Sequence, residues 1–441
     1  MKNVNKVHML KYILLILCVV PIHLANAKDK GIEKTKTFEE QFVVDKNVRY
    51  HLDINDAVVR IITTDKPEIS YKCTVKVRAA EEADAEALLS NISPNIEATP
   101  ANVDMVWRLC ASRLEIKNDK KKIKFENGPW IKFQDFSIEL EVYVPRTARF
   151  DIRSSYSTFN VDDMASDATL KMQDCHYYGG NVQGIASLTF TYSEVELGTV
   201  ANAECFKLYE SDFRATAINK VALFKSTYSH VTISRVGSTE MQSYEDKLYI
   251  DELGDVTGKM TYSKLQAKTI GAWNLSTYES DITATSAKSL MGASHYSSFT
   301  LESCGAVKFE SLYEDRMTIS KIDSFEGKGH YGKFEFGNIS NFIDYHGFED
   351  KLQVTQLGKS IQRVSVDGKY MNVSLGVAPG LVYSVDLDLQ YPNVELPPGD
   401  FASQDLTRST VKTYMRNKAG DGIVFKFKMY EGKLRILKTG A

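Results

Sequence analysis

The sequence predicts an all-β protein whose main part is a single-stranded parallel β-solenoid. We expect a right-handed β-helix with about 17–18 residues per coil, behind an N-terminal α+β or β-sandwich-like cap. Three observations lead to this fold. One short phrase returns at regular intervals, a second phrase alternates with it, and proline is absent from the region that they occupy.

The first phrase joins an aromatic residue to glutamate and reads "SYEDKLYI", "TYESDITA", "LYEDRMTI" and "GFEDKLQV" in successive copies. Its aromatic residues are Tyr244, Tyr278, Tyr313 and Phe348, which are separated by steps of 34, 35 and 35 residues. A regular recurrence of this length indicates a repeat architecture. An earlier copy and a last copy place their aromatic residues at Tyr209 and Tyr430.

The second phrase joins tyrosine to serine or glycine and falls between the copies of the first. Merged, the aromatic residues follow one another at steps of 16 to 19 residues, so the basic unit is one coil of 17–18 residues. Such a unit is too short for a helix pair, but it suits short strands that hydrogen-bond to the coils above and below. The second phrase begins at Tyr192, Tyr228, Tyr262, Tyr296 and Tyr331.

Proline and glycine support this unit. All ten prolines lie at or before Pro145, or at and after Pro379, which leaves 233 residues without one. A strand with neighbours on both sides does not accept proline, because the ladder then loses a hydrogen-bond donor. Five glycines recur at spacings of 17, 17, 34 and 53 residues, and we expect them to turn the coils with positive φ. They are Gly237, Gly254, Gly271, Gly305 and Gly358.

In a solenoid, equivalent residues of successive coils stack at strand spacing, so the tyrosines should form one column. The apolar residues come one position later after the glutamate phrase, which we interpret as one inserted residue. Glutamates then alternate with serine or glycine, which doubles the spacing of like charges to roughly 10 Å and reduces their repulsion. These residues are Glu210, Glu245, Glu279, Glu314 and Glu349, alternating with Ser229, Ser263, Ser297 and Gly332.

Three segments are predicted along the chain. Residues 1–27 read as a secretory signal peptide, with a basic start, an apolar run and cleavage after Ala27. Residues 28–147 form the cap, with alternating strands and one helix over 81–92. Residues 148–441 form the solenoid and end in irregular strands at "LVYSVDLDLQY" and "GIVFKFKMYEGKLRIL".

Composition excludes several function classes. The net charge of −3 does not favour nucleic acid, and we expect no transmembrane span in the mature chain. No cofactor motif occurs. Five cysteines remain after cleavage without a C-x-x-C pair, and we expect Cys304 to be a buried thiol. A calcium or histidine metal site is not favoured, because the glutamates, and likewise His295 and His330, recur two coils apart.

The chain resembles the bacterial putative-adhesin family of Bacteroidetes type, a domain of unknown function related to the GIN head domain of putative autotransporter adhesins. The resemblance is carried by "VYVPRTARFDIRSSYSTFNVDD" at 142–163, by the tyrosine coils and by the closing "YEGKLRIL". It covers the chain from about Val44 to the end. It implies an exported β-helical protein without an assigned activity.

The leading hypothesis is therefore a non-enzymatic, monomeric protein located in the periplasm, at the outer membrane or on the cell surface. Its partner would be a glycan or a cell-surface protein. One alternative is a lyase or glycosidase acting on polysaccharide through Asp246, Asp281, Asp315, Lys247 and Arg316, although a regular column of this kind reads as a solvated face. Another is a periplasmic partner of an envelope-stress signalling system. The candidate binding residues are Tyr192, Tyr228, Tyr262, Tyr278, Tyr296, Tyr313 and Tyr331.

Overall fold

A computed structural model describes residues 31–439 except 108–110, 118–119, 126–127, 403 and 421. The predicted signal peptide lies outside these residues. Strands make up 74% of the chain and helix 2%, and the strands build a parallel β-solenoid of about 13 turns. The predicted fold class is confirmed.

The N-terminal third contains ten strands and one helix. The helix is α1 (Glu82–Ser90), which confirms the helix predicted over 81–92. The strands are β1 (Ile32–Val43), β2 (Arg49–Asn55), β3 (Ala57–Thr64), β4 (Glu68–Ala79), β5 (Asn95–Thr99), β6 (Asn102–Trp107), β7 (Ala111–Lys117), β8 (Lys120–Phe125), β9 (Trp130–Phe133) and β10 (Asp135–Pro145).

Contacts divide the chain into two units. The first contains the described residues of 1–37, Thr74–Ser93 and Leu109–Ser137, and holds α1 and the antiparallel sheet β7-β8-β9. The second contains Phe38–Cys73, Pro94–Arg108 and the described residues from Ile138 onward, and holds the solenoid.

The regular coils occupy β11 to β29. Their strands pair in parallel with the coils before and after, so that Lys264, Asp281 and Ser298 are aligned in three successive coils. This register advances by 17–18 residues per coil, as predicted. The strands are β11 (Arg149–Ser155), β12 (Thr158–Val161), β13 (Ala168–Gln173), β14 (His176–Gly179), β15 (Val182–Thr191), β16 (Glu194–Tyr209), β17 (Asp212–Ile218), β18 (Val221–Thr227), β19 (His230–Val236), β20 (Thr239–Tyr244), β21 (Lys247–Leu253), β22 (Val256–Thr261), β23 (Lys264–Tyr278), β24 (Asp281–His295), β25 (Ser298–Tyr313), β26 (Arg316–His330), β27 (Lys333–Phe348), β28 (Lys351–Leu357) and β29 (Arg363–Val377).

Parallel pairing begins before the boundary predicted at residue 148. Strand β2 pairs in parallel with β11, with Arg49 opposite Arg149, and β3 pairs in parallel with β12. Residues 49–64, which the sequence assigns to the cap, therefore belong to the same sheet as the first coils. The boundary at 148 is not a break in the sheet.

The predicted C-terminal strands are present and close the solenoid out of sequence order. They are β30 (Tyr383–Gln390), β31 (Asn393–Glu395), β32 (Thr410–Met415) and β33 (Ile423–Lys438). The last strand, β33, pairs in parallel with both β29 and β30, so it lies between two strands that precede it in the chain.

The expected role of the recurring glycines is wrong. None of Gly237, Gly254, Gly271, Gly305 and Gly358 has a positive φ. A Cβ at Gly237 would lie 2.0 Å from the Asn219 carbonyl oxygen, and one at Gly254 would lie 2.7 Å from the Gly237 carbonyl carbon. These glycines recur because the backbone of the preceding coil approaches too closely for a side chain.

The coil interior is filled by aliphatic and aromatic side chains that alternate with outward polar residues. Cys304 is buried, as predicted, and Cys73, Cys175, Cys205 and Cys304 are all free thiols. In the described part of the chain, no helix has the length and apolar character that a membrane span needs.

Candidate binding face along the tyrosine corner

One corner of each coil is formed by three consecutive residues, here called the first, second and third corner positions. They are Tyr244-Glu245-Asp246 in one coil and Thr261-Tyr262-Ser263 in the next. Tyr244 pairs with Thr261, and the N–H of Asp246 donates to Oγ of Ser263 at 3.0 Å.

The two phrases are therefore equally long through the corner. The inserted residue predicted for the glutamate phrase is wrong, because Leu248 and Leu265 are already in register. The tyrosine itself changes place: it occupies the first position in one coil and the second in the next. Glu245 consequently stacks between Tyr228 and Tyr262 and not between serines as predicted.

The second corner position has a left-handed backbone, which costs a residue with a Cβ roughly 1–2 kcal/mol. It interrupts the alternation of inward and outward side chains, so that Tyr244 and Glu245 both face outward and Asp246 faces inward. Two adjacent outward positions are what lets the ring alternate. The φ angle is 52–61° at Tyr192, Tyr228, Tyr262, Tyr296 and Tyr331, and 43–55° at Glu210, Glu245, Glu279, Glu314 and Glu349.

The alternation produces an unbroken line of rings, here called the tyrosine ladder. Neighbouring ring centroids are 5.3–5.9 Å apart and the ring planes cross at 74–89°. Rings at identical positions would meet face to face, whereas the ring quadrupoles favour this edge-to-face contact. The ladder consists of Tyr192, Tyr209, Tyr228, Tyr244, Tyr262, Tyr278, Tyr296, Tyr313 and Tyr331.

The structure thus brings all seven predicted binding residues into one continuous surface. It adds Tyr209 and Tyr244, which the predicted set omits. The ladder is continued by Phe348, Tyr370, Tyr430 and Tyr391. The rings are packed against one another and exposed at the same time, because Tyr262 has 43% of its surface in solvent and Tyr278 has 37%.

The glutamates give the ladder a polar edge. Glu210 is hydrogen-bonded to the phenol of Tyr209, and this contact raises the pKa of Tyr209 to about 12. Glu245 does the same for Tyr244, whose pKa is also raised to about 12. The phenols of Tyr192 and Tyr228 extend these networks to the neighbouring coils. The outer corner therefore presents apolar ring surface bordered by hydroxyls and carboxylates.

The third corner position forms a second, buried ladder that the sequence analysis missed. The backbone N–H of each residue donates to the side chain of the equivalent residue in the next coil. The bond from Ser263 to Ser280 is 3.2 Å, and the bond from Ser297 to Asp315 is 2.8 Å. We call this the serine–aspartate ladder; it comprises Ser193, Ser211, Ser229, Asp246, Ser263, Ser280, Ser297 and Asp315.

The solvated face expected for Asp246 and Asp315 is therefore wrong, since each is only 1% exposed. Asp315 accepts hydrogen bonds from the Ser294 hydroxyl, the Ser297 N–H and the Tyr313 N–H, each at 2.8 Å. Burial raises its pKa to about 6 against the opposing effect of these bonds. Burial also raises the pKa of Asp246, which accepts from Ser226 and Ser243 as well as from the backbone.

The remaining polysaccharide-enzyme candidates lie one position further on, on the outer face. Asp281 accepts a hydrogen bond from Ser298 at 2.6 Å and contacts Lys264 at 3.6 Å. Lys247 and Arg316 occupy the same exposed row in other coils. Asp281 is thus not in one column with Asp246 and Asp315, and the five residues do not converge.

The predicted histidines lie at the first corner position. The ring of His295 stacks near Tyr313, and that of His330 near Phe348, with centroids 6.1 and 5.9 Å apart. His346 lies 4.0 Å from Asp367. Within the described ranges, no three histidine, cysteine or acidic side chains are grouped so as to hold a metal ion.

Comparison with known proteins gives similar structures only. No family model matches the chain, and no curated protein matches it. A putative cell adhesion protein from Clostridium sporogenes is 8% identical, with 92% of this chain and 100% of that chain covered and a TM-score of 0.16. Putative adhesins from Parabacteroides merdae and Bacteroides fragilis are 9% and 12% identical. Each alignment covers 68% of this chain and 96% or 97% of the other, with TM-scores of 0.18 and 0.17.

Proposed function

We propose that this chain is an exported, non-enzymatic binding protein of the bacterial envelope or cell surface. We further propose that the tyrosine ladder is the surface that contacts its partner, an extended glycan or a cell-surface protein. The observation that carries the proposal is the ladder itself: it offers continuous ring surface to solvent on a frame fixed by parallel hydrogen bonds.

A partly exposed ring with a phenol edge suits contact with another molecule. Aromatic rings provide apolar area at low entropic cost, and the hydroxyl provides a polar tip. Glu210 and Glu245 hold phenols of the ladder through hydrogen bonds, so these rings are already oriented before a partner arrives. Because the unit repeats along the solenoid, a long partner would meet the same groups several times.

Replacing Tyr262, Tyr278 and Tyr296 by serine tests the role of the ladder. Wild-type and triple-variant protein would be incubated with intact Gram-negative cells and with immobilised mucin, at a temperature at which circular dichroism shows both to be folded. We expect at least a tenfold loss of bound protein. The matched control is Tyr414→Ser, which removes an exposed ring outside the ladder. Equal binding by the folded triple variant would contradict the proposal.

Export and the absence of catalysis need separate tests. Mass spectrometry of the protein recovered from cell fractions should show a mature N-terminus at Lys28. Incubation with envelope and host polysaccharides should release no new reducing ends. Reproducible cleavage that disappears in Asp281→Asn would favour the polysaccharide-enzyme alternative, since Asp281 is exposed whereas Asp246 and Asp315 are buried.

A further inference from the structure

A second groove runs along the solenoid on the face that follows the tyrosine corner. It has a volume of about 630 Å³ and crosses successive coils from β19 to β26. Its floor is a single row of outward side chains that the parallel register aligns coil by coil. We call this the threonine groove; the row consists of Thr232, Tyr249, Gln266, Thr283, Thr300 and Thr318.

The floor offers hydrogen-bonding groups that the described chain does not use. Gln266, Thr283, Thr300 and Thr318 are exposed, and none of their side chains has a hydrogen-bond partner among the described residues. Neighbouring groups are separated by one strand spacing, about 4.8 Å. A ligand lying along the solenoid axis would therefore meet a hydroxyl or an amide at every coil.

The charges of the groove argue against an ionic polymer. Its charged lining residues are Asp251, Lys268 and Glu302. Asp251 and Lys268 neutralise each other at 3.1 Å, so the groove has no excess of positive charge for a polyanion. One remaining carboxylate is also too little to hold a polycation along the whole floor.

Backbone pairing argues against an extended peptide. The strands that form the floor are hydrogen-bonded in parallel to neighbours on both sides, as β24 is to β23 and β25. No unpaired strand edge is offered inside the groove, so a peptide cannot add itself as a further strand.

One aromatic ring completes the groove. Tyr249 is 41% exposed and lies in the same row, between Thr232 and Gln266. The ring of His230 packs beside it with centroids 5.2 Å apart, which restricts its orientation. A held aromatic ring next to a row of hydroxyl and amide groups fits a ligand that has both an apolar ring face and many hydroxyls.

We propose that the threonine groove binds a neutral glycan chain along the solenoid axis. A sugar ring packs on Tyr249, and the sugar hydroxyls bond to Gln266, Thr283, Thr300 and Thr318. The site goes beyond the proposed function, because it shares no residue with the tyrosine ladder.

Affinity electrophoresis of the full mature chain tests this site, using native gels that contain dextran, mixed-linkage β-glucan or glucomannan. The triple variant Thr283→Val, Thr300→Val and Thr318→Val keeps β-branched side chains and removes only hydroxyls, so the strands are retained. We expect wild type to be retarded by at least one of these polysaccharides. The dissociation constant should rise at least about tenfold in the triple variant, from three lost hydrogen bonds.

Two further variants make the outcome unambiguous. Thr257→Val removes an exposed strand threonine outside the groove and should bind as wild type does. Tyr249→Ala should weaken binding without the hydroxyl changes. Retardation by none of the three polysaccharides, or equal retardation of wild type and the triple variant, would overturn the proposal. Loss of retardation in the tyrosine-ladder triple variant alone would assign glycan binding to the ladder and would also overturn it.

Discussion

The second and third corner positions follow one another in the chain, yet they place carboxylates in opposite surroundings. Glu245 lies on the outer face beside the Tyr244 phenol and is exposed. Asp246 is 1% exposed and accepts hydrogen bonds from the hydroxyls of Ser226 and Ser243 and from two backbone N–H groups. A single left-handed residue separates a solvent-facing ladder from a buried one.

The difference between the two ladders teaches which of them the fold depends on. A buried donor or acceptor that loses its partner costs about 1–3 kcal/mol, whereas an exposed group is satisfied by water. The serine–aspartate ladder satisfies a buried backbone N–H of each coil through the side chain of the next coil. We therefore expect stability to depend on the inner ladder more strongly than on the outer one.

The largest effect is expected for Asp315→Ala, measured at pH 5 by chemical denaturation. The variant leaves the Ser294 hydroxyl and the N–H groups of Ser297 and Tyr313 without their acceptor. We expect a loss of about 3 kcal/mol or more in the free energy of unfolding. Asp315→Ser is the matched control, because serine at this position of other coils accepts the N–H of the preceding coil. It should be less destabilised than the alanine variant; equal losses would show that this acceptor does not matter.

The pH dependence of stability sharpens the comparison. Burial raises the pKa of Asp315 from 3.8 to about 6, so between these values the folded state keeps a proton that the unfolded state has lost. This contribution is complete below about pH 4 and is lost as pH rises through 6. The advantage of wild type over Asp315→Ser should fall by about 3 kcal/mol from pH 4 to pH 7. Denaturation curves of both proteins across this range measure it; a constant or rising advantage would contradict the shift.

Much of the fold was predictable because its determinants repeat locally. The proline-free stretch from 146 to 378 and the 17–18-residue step each follow from the need of every coil to pair with two neighbours. The helix α1 was predictable from its own residues. The start of the solenoid was not, because the partner of β2 is β11, roughly a hundred residues further along the chain.

The corner was predicted in the wrong register because the tyrosine was taken as the fixed point of the repeat. The fixed point is the residue at the third position, which must place an acceptor near the N–H of the coil before it. Serine or aspartate at this position, as in Ser263 and Asp246, was the signal available in the sequence. The threonine groove had no such signal, since it depends on how the side chains of several aligned columns differ in length.

The smallest effect is expected in the tyrosine ladder itself, where Tyr262→Ser and Tyr192→Ser form a matched pair. Both residues occupy the second corner position with a φ of 52°, so the backbone change is the same. Tyr262 contacts rings on both sides, at 5.6 Å to Tyr244 and 5.5 Å to Tyr278, whereas Tyr192 begins the ladder and contacts only Tyr209.

An edge-to-face contact contributes about 0.5–1.5 kcal/mol, so the loss of unfolding free energy should be about 1–3 kcal/mol for Tyr262→Ser and about half of that for Tyr192→Ser. Denaturant titration of both variants at pH 7 measures the ratio. Equal losses would mean that the rings do not stabilise one another, and the ladder would then matter only for binding. A loss for Tyr262→Ser larger than that for Asp315→Ala would reverse the comparison and place the stability of the corner on its outer face.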